Sequence, residues 1–437
     1  MSEQSIKQTP AHIAPAPRLR LLRGAGIWIG ALIVVLVLPM IFSSGHSVSM
    51  LTQMCSAIVF ALSYNMLLGQ GGMLSFGHAV FSGLGGFIAM HVLNAVNDGA
   101  LVIPLELMPI VGGLGGLAFA IPFGWISTKR AGVTFAMISL GIAELVAASA
   151  LMFTGFFGGE SGISSNRVVD HTLFGFLGVS YGPSIEVYYL AGAWMLIATF
   201  AMYLLTLTPL GRMANAVRDN PERAQFVGYD PHLVRFLQFS LAGFFAGVAG
   251  GLTVINYEIL TADALSAIAS GTVLVMAFIG GIGFFFGPIL GAILITYLQT
   301  SLSSFSEAWL MYFGLIFVGM VMYAPHGLAG IVMAHRPALR SGRAGKLLLS
   351  YLVAAVPTAL LLVGLISLIE MGYHLSTAYM PEYPISLFGV EVNVTQLRYW
   401  LGAVAITAVG LAVFLWVMRL IRRAWHEVNA ALGGERT

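Results

Sequence analysis

Glu144 and His78 lie inside apolar stretches and carry side chains that could do chemistry. An ionisable group at membrane depth is costly, so Glu144 is expected to face the interior of a helix bundle or a water-filled cavity. There it could hydrogen-bond a polar part of a substrate or gate its path, or it could form a structural hydrogen bond to a neighbouring helix. His78 has two similar interpretations: a group that contacts a ligand, or an interior histidine whose hydrogen bonds are satisfied.

Two glycine-rich apolar segments, one in each half of the chain, have glycines at matching positions when the two halves are aligned. The alignment superposes Gly71 on Gly281 and Gly77 on Gly287. Segments interrupted by Gly or Pro at matching positions of two halves indicate broken helices, whose exposed backbone dipoles line substrate paths in transporters. Close helix packing through glycine, without a ligand, is the alternative. Besides Glu144, the predicted path residues are Ser75, Phe76, Gly77, His78, Gly280, Gly281, Gly283, Gly287 and Pro288.

A charged loop at 211–228 carries two signals for short helices. Asn220 is a good N-cap, Pro221 suits the first helical position, and Glu222 lies near the positive end of the helix dipole. We therefore predict that one helix ends near Asp219 and a second begins at Pro221, forming a rigid knuckle. Basic residues that merely fix membrane topology would explain the arginines but not this capping pattern.

No catalytic motif is present in the sequence. The nearest approach to a phosphate-binding P-loop, GRAGK at 342–346, has the wrong spacing and no preceding strand. The segment GGESG at 158–162 misses the register of a serine nucleophile. Cys55 is the single cysteine, which excludes a Cys-rich metal site. The ten histidines do not cluster. We expect no enzyme activity, metal or cofactor on this chain.

The composition is that of an integral membrane protein. Of 437 residues, 58% are hydrophobic and 9% are charged, and the mean hydropathy is +0.90. Soluble domains have about 45–50% apolar and about 25% charged residues, and could not bury so much apolar surface. The 20 Lys and Arg residues nearly balance the 18 Asp and Glu residues, which excludes a strongly basic nucleic-acid binder.

The apolar stretches predict an all-α, polytopic helical bundle of about 12 spans with Gly-rich broken segments, because roughly 20 apolar residues cross a membrane. About ten spans form a core and two form a C-terminal hairpin. The two stretches that flank Gly283 could instead form one re-entrant element. The stretches are 27–42, 50–69, 72–93, 101–127, 132–153, 187–207, 236–255, 262–282, 284–301, 308–324, 347–369 and 397–418.

The distribution of basic residues predicts the orientation. With the N-terminus in the cytoplasm, every Lys and Arg except Arg167 and Arg398 falls on the cytoplasmic side. The positive-inside rule predicts such a bias, so both termini are expected in the cytoplasm. The first apolar run lacks a convincing cleavage site, which favours an uncleaved helix over a signal peptide. Residues 154–186 then form the longest outer loop and 208–235 the longest inner loop within the bundle.

These observations divide the chain into five predicted parts. The last of them could be an interfacial helix or the frayed end of the last span. The parts are a cytoplasmic N-terminal tail at 1–25, a core at 26–335, a basic cytoplasmic linker at 336–346, an additional two-span hairpin at 347–418, and a basic amphipathic cytoplasmic tail at 419–437.

The loop at 211–228 resembles the coupling loop of ABC importer permeases of the branched-chain amino-acid (LIV-type) family, G-R-x-x-x-A-[IV]-R-[ED]-N-x-x-[RA]-A-x-x-x-G. Other stretches resemble the family in the expected order. They are NMLLG at 65–69 with SFGHA at 75–79, the region 140–144, the Gly-rich region 154–163, IGGIG at 279–283 with GPILG at 287–291, and YAPHGLAG at 323–330.

This resemblance implies that residues of the loop contact an ATPase. Charged residues of the loop are expected to face the cytoplasm, and small ones to enter a groove of the partner. The residues implied are Gly211, Arg212, Ala216, Arg218, Asp219, Asn220, Pro221, Glu222, Arg223, Ala224 and Gly228.

The resemblance also implies a function and an assembly. The chain would be the transmembrane permease subunit of an ATP-driven importer in the bacterial inner membrane, moving branched-chain or other small amino acids, or related amides. Its partners would be a second homologous permease subunit, cytosolic ATPase subunits that hold ATP-Mg, and a periplasmic or lipid-anchored binding protein, surrounded by membrane lipid and without nucleic acid. After Arg336 the chain departs from the family pattern, since members usually end there.

Two other functions remain open at the level of sequence. A proton- or ion-coupled secondary transporter of small polar solutes could use Glu144, but the structured loop would have no task in it. A membrane-embedded enzyme or receptor is disfavoured by the missing catalytic motif and the short outer loops. The substrate, the pairing of like or unlike permease subunits and the role of the added hairpin are left open.

The predicted orientation can be tested by cysteine labelling in a Cys55→Ser background. Because 154–186 is expected outside, a Ser165→Cys variant should react with a membrane-impermeant thiol reagent added to intact cells. Reaction only when the reagent is supplied from the cytoplasmic side of inverted vesicles would contradict the assignment.

Overall fold

A computed structural model describes residues 17–169, 172–175, 178–340, 344–377 and 384–434. The fold is helical, with two short two-stranded sheets. The helices are α1 (Pro17–Ile41), α2 (Gly45–Asn65), α3 (Ala79–Asn97), α4 (Met108–Ser127), α5 (Val133–Met152), α6 (Thr154–Phe157), α7 (Ser184–Leu207), α8 (Pro209–Asp219), α9 (Pro221–Phe226), α10 (Pro231–Tyr257), α11 (Ala267–Gly280), α12 (Gly287–Leu302), α13 (Trp309–Tyr323), α14 (Gly327–Arg340), α15 (Ala344–Thr377) and α16 (Leu397–Gly434).

Short elements extend and connect these helices. A π-helix continues α2, and its altered register turns the chain away from the α-helical path. The π-helix is Met66–Gln70, and 3-10 turns lie at Leu105–Leu107, Gly159–Ser161 and Ala262–Leu265. Strand β1 (Ile163–Ser164) pairs antiparallel with β2 (Ile259–Leu260), and β3 (Ile385–Leu387) pairs antiparallel with β4 (Val390–Val392).

Each of the twelve predicted stretches contains one apolar helix, which confirms the polytopic helical fold. Within the described residues, eight helices are long and apolar enough to cross a membrane alone. A ninth candidate is the pair α13 and α14, bent by 46°. Helices α11 and α12 have 14 and 16 residues, so each spans about 21–24 Å of a hydrocarbon layer of about 30 Å. Two short spans or one re-entrant hairpin would both return the chain to the same side.

Helices extend into the predicted tails and linker. The tail predicted at 1–25 becomes helical at Pro17, a residue suited to the first helical turn, while 1–16 lie outside the described residues. The basic tail continues α16 without a break to Gly434. The basic linker forms the end of α14 and the start of α15, and 341–343 lie outside the described residues.

Helix α10 forms the centre of the core and packs against α2, α3 and α4. Glycines allow this packing, because backbones meet where no side chain intervenes. A Cβ added to Gly85 of α3 would lie 2.7 Å from the Gly247 Cα of α10. A Cβ added to Gly112 of α4 would lie 3.0 Å from the Gly251 nitrogen. The glycine content therefore serves close packing as well as helix breaks.

The two ends of the bundle are named here by their loops: the outer end carries 153–183 and 258–266, and the inner end carries 208–230. At the outer end, Arg167 ties the long loop to α10, since its backbone N–H donates to Glu258 Oε1 (2.9 Å) and its Nε to the Tyr181 carbonyl (2.9 Å). The Tyr181 hydroxyl donates to Glu106 Oε1 (2.9 Å). Burial, reinforced by this carboxylate, raises the pKa of Tyr181. These contacts fix the described part of the outer loop to the bundle.

Candidate functional site

The inner loop forms the knuckle that its capping residues predict. Helix α8 ends at Asp219 and α9 begins at Pro221, with the Asn220 side chain accepting the Arg223 N–H (2.9 Å). Thr208 caps α8 by accepting the Gly211 N–H (3.3 Å). This local structure is confirmed. A small apolar cluster fastens the knuckle to α10 and consists of Ala214, Val217, Ala224 and Val234.

The small residues of the knuckle have a different cause from the one expected. Gly211 lies against the end of α7, where an added Cβ would be 2.8 Å from the Thr206 Cα. Ala224 is buried in the cluster that fastens the knuckle to α10. Both residues are small because they pack on their own chain. Gly228 has a φ of +93°, so its backbone conformation rather than a contact favours glycine.

A groove between α8 and α9 remains open on the surface of the inner end. Its volume is about 280 Å³, and Ala216 is half-buried in its wall. Arg212 and Glu222 are exposed beside it. The lining residues are Met213, Ala216, Asp219, Asn220, Arg223, Ala224, Val227 and Tyr229. The exposed fractions of Phe226 (90%) and Val227 (72%) leave an apolar edge next to charged residues. This combination suits the docking of another protein.

Arg218 keeps 38% of its side chain exposed at the inner end, and its guanidinium also reaches the bundle. One guanidinium N–H donates to the carbonyl oxygen of Gly69, at the end of the π-helix. Its Nε and second amino group hold Asp219 Oδ1 (both 2.9 Å). A cation at the C-terminal end of a helix is favoured by the helix dipole. Arg218 therefore joins the knuckle directly to the first broken segment.

Gly72 leaves room for the aliphatic part of Arg218. Its φ is +64°, and an added Cβ would lie 2.6 Å from the Arg218 Cγ. Both its conformation and its contact therefore require glycine.

The first broken segment, 71–78, receives its hydrogen bonds from three helices. The Tyr64 hydroxyl of α2 donates to the Ser75 carbonyl (3.0 Å). The Ser139 hydroxyl of α5 accepts the Phe76 N–H (3.0 Å), and the Ser270 hydroxyl of α11 accepts the Ala79 N–H (3.1 Å) that follows the break. Irregular backbone at membrane depth is tolerated only where protein or a cavity satisfies it. Here side chains of the protein satisfy these three backbone groups.

His78 has the surroundings of an interior histidine. Its ring is fully buried and stacks on Phe60 with 5.5 Å between ring centroids. Its Nε2 is 2.8 Å from the Ser63 hydroxyl, while its Nδ1 has no partner among the described residues. Phe76, two residues earlier, keeps 37% of its surface exposed. Of these two path residues, only Phe76 is accessible to a passing molecule.

The second broken segment, 281–286, is a contact between three stretches of backbone. Gly281 has a φ of +108° and lies under the turn before α14, where an added Cβ on Gly327 would be 2.6 Å from its Cα. A Cβ on Gly280 would be 2.7 Å from the Pro288 Cα. A Cβ on Gly287 would be 3.0 Å from the Gly280 carbonyl oxygen and closer still to that of Gly281. Packing accounts for these residues; Gly283 alone has open space around it.

The structure brings the start of the first break and the second break together at the inner end. They share a cavity of about 310 Å³, into which Arg218 also projects. Ser75, Phe76, Gly77 and His78 do not line this cavity and lie beside α5 and α11 instead. The lining residues are Asn65, Gly69, Gln70, Thr206, Asn215, Arg218, Ile282, Gly283 and Phe285. Sequence reasoning missed Asn65 and Gln70, although polar side chains at the end of an apolar helix were a usable signal.

Glu144 lies on the exposed face of α5. The opposite face of the helix, with Phe135 and Ala143, is buried, and an added Cβ on Gly77 would lie 3.3 Å from the Ala143 Cβ. Glu144 is exposed and forms no hydrogen bond or ion pair with any described residue. The structural hydrogen bond considered from sequence is therefore not formed within the described chain.

Comparisons with known proteins agree with this architecture. Residues 47–325 match the family described as branched-chain amino acid transport system, permease component. The high-affinity branched-chain amino acid transport system permease protein LivM of Salmonella typhimurium is 26% identical over 368 residues, covering 79% of this chain and 84% of that protein. LivM of Escherichia coli is 25% identical over 339 residues, covering 73% and 78%. The ribose import permease protein RbsC of Haemophilus influenzae is 26% identical over 287 residues, covering 62% and 81%. No solved structure matches significantly.

The link from Arg218 to the broken segment can be tested at Gly72. A Gly72→Ala variant should displace Arg218 and loosen the knuckle, because the added methyl overlaps the arginine side chain. Amide hydrogen exchange in 209–226 should then rise. Gly99→Ala is the matched control, since Gly99 also has a positive φ (+73°) but open space around it. Equal exchange in the two variants would mean that the Arg218 contact is not needed to hold the knuckle in place.

Proposed function

Because the chain belongs to the family of branched-chain amino acid transport permeases, we propose that it is the membrane subunit of an ATP-driven importer powered by separate ATPase chains. The substrates proposed are branched-chain or other small amino acids, or related amides. The names of the LivM relatives support the branched-chain amino acids among these. A binding protein at the outer end would deliver them. The cell membrane is the proposed location, with both termini in the cytoplasm.

The observation that carries this proposal is the knuckle joined to the broken segment by Arg218. A partner ATPase would dock on the α8–α9 groove, where exposed Phe226 and Val227 offer apolar surface beside charged residues. Caps and the buried cluster make the knuckle stiff, so a push on it moves it as a unit. A secondary transporter has no use for such a surface and is not favoured.

The movement would reach the membrane through named contacts. Arg218 holds the Gly69 carbonyl, so displacement of α8 acts on the end of α2 and on the first break. The shared inner cavity borders Ile282 and Gly283 as well, so the same displacement changes the space beside the second break. The cavity would open and close as the knuckle moves.

The exposed position of Glu144 indicates which part of the surface the second permease subunit would cover. A carboxylate exposed to lipid at the centre of a helix costs roughly 2.5–3.5 kcal/mol, so this face of α5 is unsuited to lipid. Between two subunits, the carboxylate would border a polar path. There it could accept hydrogen bonds from the ammonium group of an amino acid.

The docking groove can be tested with Ala216→Trp. The indole would fill the groove without entering the buried cluster, so ATPase subunits should co-purify less and substrate-stimulated ATP hydrolysis should fall. Ala131→Trp, at an exposed position of another inner loop, is the control and should behave as the unmodified protein. Full ATPase association by Ala216→Trp, or ATP hydrolysis by the purified chain alone, would refute the proposal.

The role of Glu144 can be tested with Glu144→Gln in the assembled transporter. Losing a charge-assisted hydrogen bond of about 1.5–3 kcal/mol should slow transport roughly 10- to 100-fold while the complex stays assembled. Glu160→Gln changes an exposed outer-loop carboxylate and should leave transport unaffected. If both variants transport normally, Glu144 does not contact the substrate.

A further inference from the structure

The C-terminal hairpin, which lies beyond the family match, encloses a second cavity with the core. Helices α15 and α16 pack against each other, and α15 faces α12 and α13 across a space of about 1120 Å³. The side chains around it remain accessible, with 51% of Leu362 exposed. The lining residues are Leu298, Leu302, Phe305, Ser306, Glu307, Tyr312, Leu315, Ile316, Leu362, Leu365, Ile366, Ile369, Glu370, Tyr373, His374, Thr377, Ile385, Ser386, Leu387 and Phe388.

The polar end of this cavity lies at the outer end of the bundle. Thr300, near the end of α12, donates to Gln53 near the start of α2 (3.3 Å), and α2 ends at the inner end beside Arg218. Ser306 follows α12, and its hydroxyl meets Glu370 of α15. From Glu370 to Leu362 the wall descends about 12 Å at 1.5 Å per residue and becomes apolar. That depth is within one leaflet of a hydrocarbon core of about 30 Å.

Hydrogen bonds from the protein reach only one of the two carboxylate oxygens of Glu370 within the described residues. The Ser306 and Tyr312 hydroxyls both donate to its Oε1 (2.6 Å each), and no described residue donates to Oε2. One turn further along α15, the Nε2 atom of His374 is buried without a partner among the described residues. A buried polar atom is costly unless something bonds to it, so His374 Nε2 calls for a ligand or water. The half-buried Glu370 keeps Oε2 free to accept a further hydrogen bond.

The charge of the lining selects the kind of ligand. Glu307 and Glu370 are acidic, and neither Lys nor Arg lines the cavity within the described residues. A ligand with net negative charge would be repelled, whereas an ammonium group would supply the missing donors. The apolar lower wall requires a hydrocarbon chain. A freely soluble metabolite would satisfy the polar end but leave this wall empty.

We propose that this cavity holds a glycerophospholipid of the outer leaflet with an ethanolamine headgroup. The ammonium group donates to Glu370 Oε2, His374 Nε2 bonds to a polar atom of the headgroup, and one acyl chain lies along Leu362 and Leu365. The lipid fills the space between the hairpin and the core. The hairpin is thereby attached to the permease through a bound lipid as well as through Glu370.

The experiment measures lipid retained by the purified full chain after transfer from nanodiscs of defined composition, by native mass spectrometry. Ethanolamine lipid should be retained roughly tenfold more than phosphatidylglycerol, because of the charge, and more than phosphatidylcholine, whose quaternary ammonium cannot donate. Glu370→Gln should remove the preference for ethanolamine. Leu362→Trp should reduce retention of every lipid, because the indole occupies the acyl-chain position.

Leu352→Trp is the matched control, since Leu352 is an exposed α15 residue outside the cavity. It should retain lipid as the unmodified chain does, and gel filtration of all variants checks that they are folded. Equal retention of the three lipids by the unmodified chain, an unchanged preference in Glu370→Gln, or equal loss in Leu352→Trp and Leu362→Trp would each overturn the proposal. The assay contains no ATPase and measures no transport, so its outcome is independent of the proposed transport function.

Discussion

The structure depends on one constraint: backbone that leaves the helical path inside an apolar layer must still find hydrogen-bond partners. The chain breaks at 71–78 and at 281–286, and the two breaks meet this constraint differently. At the first, hydroxyl groups of Tyr64, Ser139 and Ser270 reach the backbone from three helices. At the second, glycines let three stretches of backbone lie in contact. Both breaks are therefore built into the packing of the core and are sensitive to movements of the helices around them.

Arg218 connects this constraint to the surface. Its guanidinium serves as the partner of a carbonyl at the end of the π-helix, so a backbone group at the break depends on a side chain of the knuckle. The neighbouring Asp219 keeps the guanidinium oriented. A charge-assisted hydrogen bond is about twice as strong as a neutral one, so this contact holds the knuckle firmly to the end of the π-helix. The knuckle and the broken segment are in this sense one mechanical unit.

Two carboxylates, Glu144 and Glu370, show where the isolated chain is incomplete. Each lies in an apolar helix, and each keeps acceptor capacity that the described chain does not use. Because such groups are costly in hydrocarbon, both positions favour a partner or ligand that covers them. At Glu144 the helix face is open, which suits a second subunit. At Glu370 the walls form a cavity that is apolar below and acidic above, which suits a lipid.

Local signals in the sequence determined the helical fold, the positions of both breaks and the cap at Asn220, because apolar periodicity, glycine and capping act within a few residues. They also identified the family. Contacts between distant residues were decided by the tertiary structure alone: Arg218 reaches Gly69 across 149 positions, and Ser270 reaches Ala79 across 191. The contact of Arg218 with Gly69 and the exposed position of Glu144 follow from how helices pack, which depends on the shapes of all neighbouring side chains at once. No spacing within a single segment carries that information.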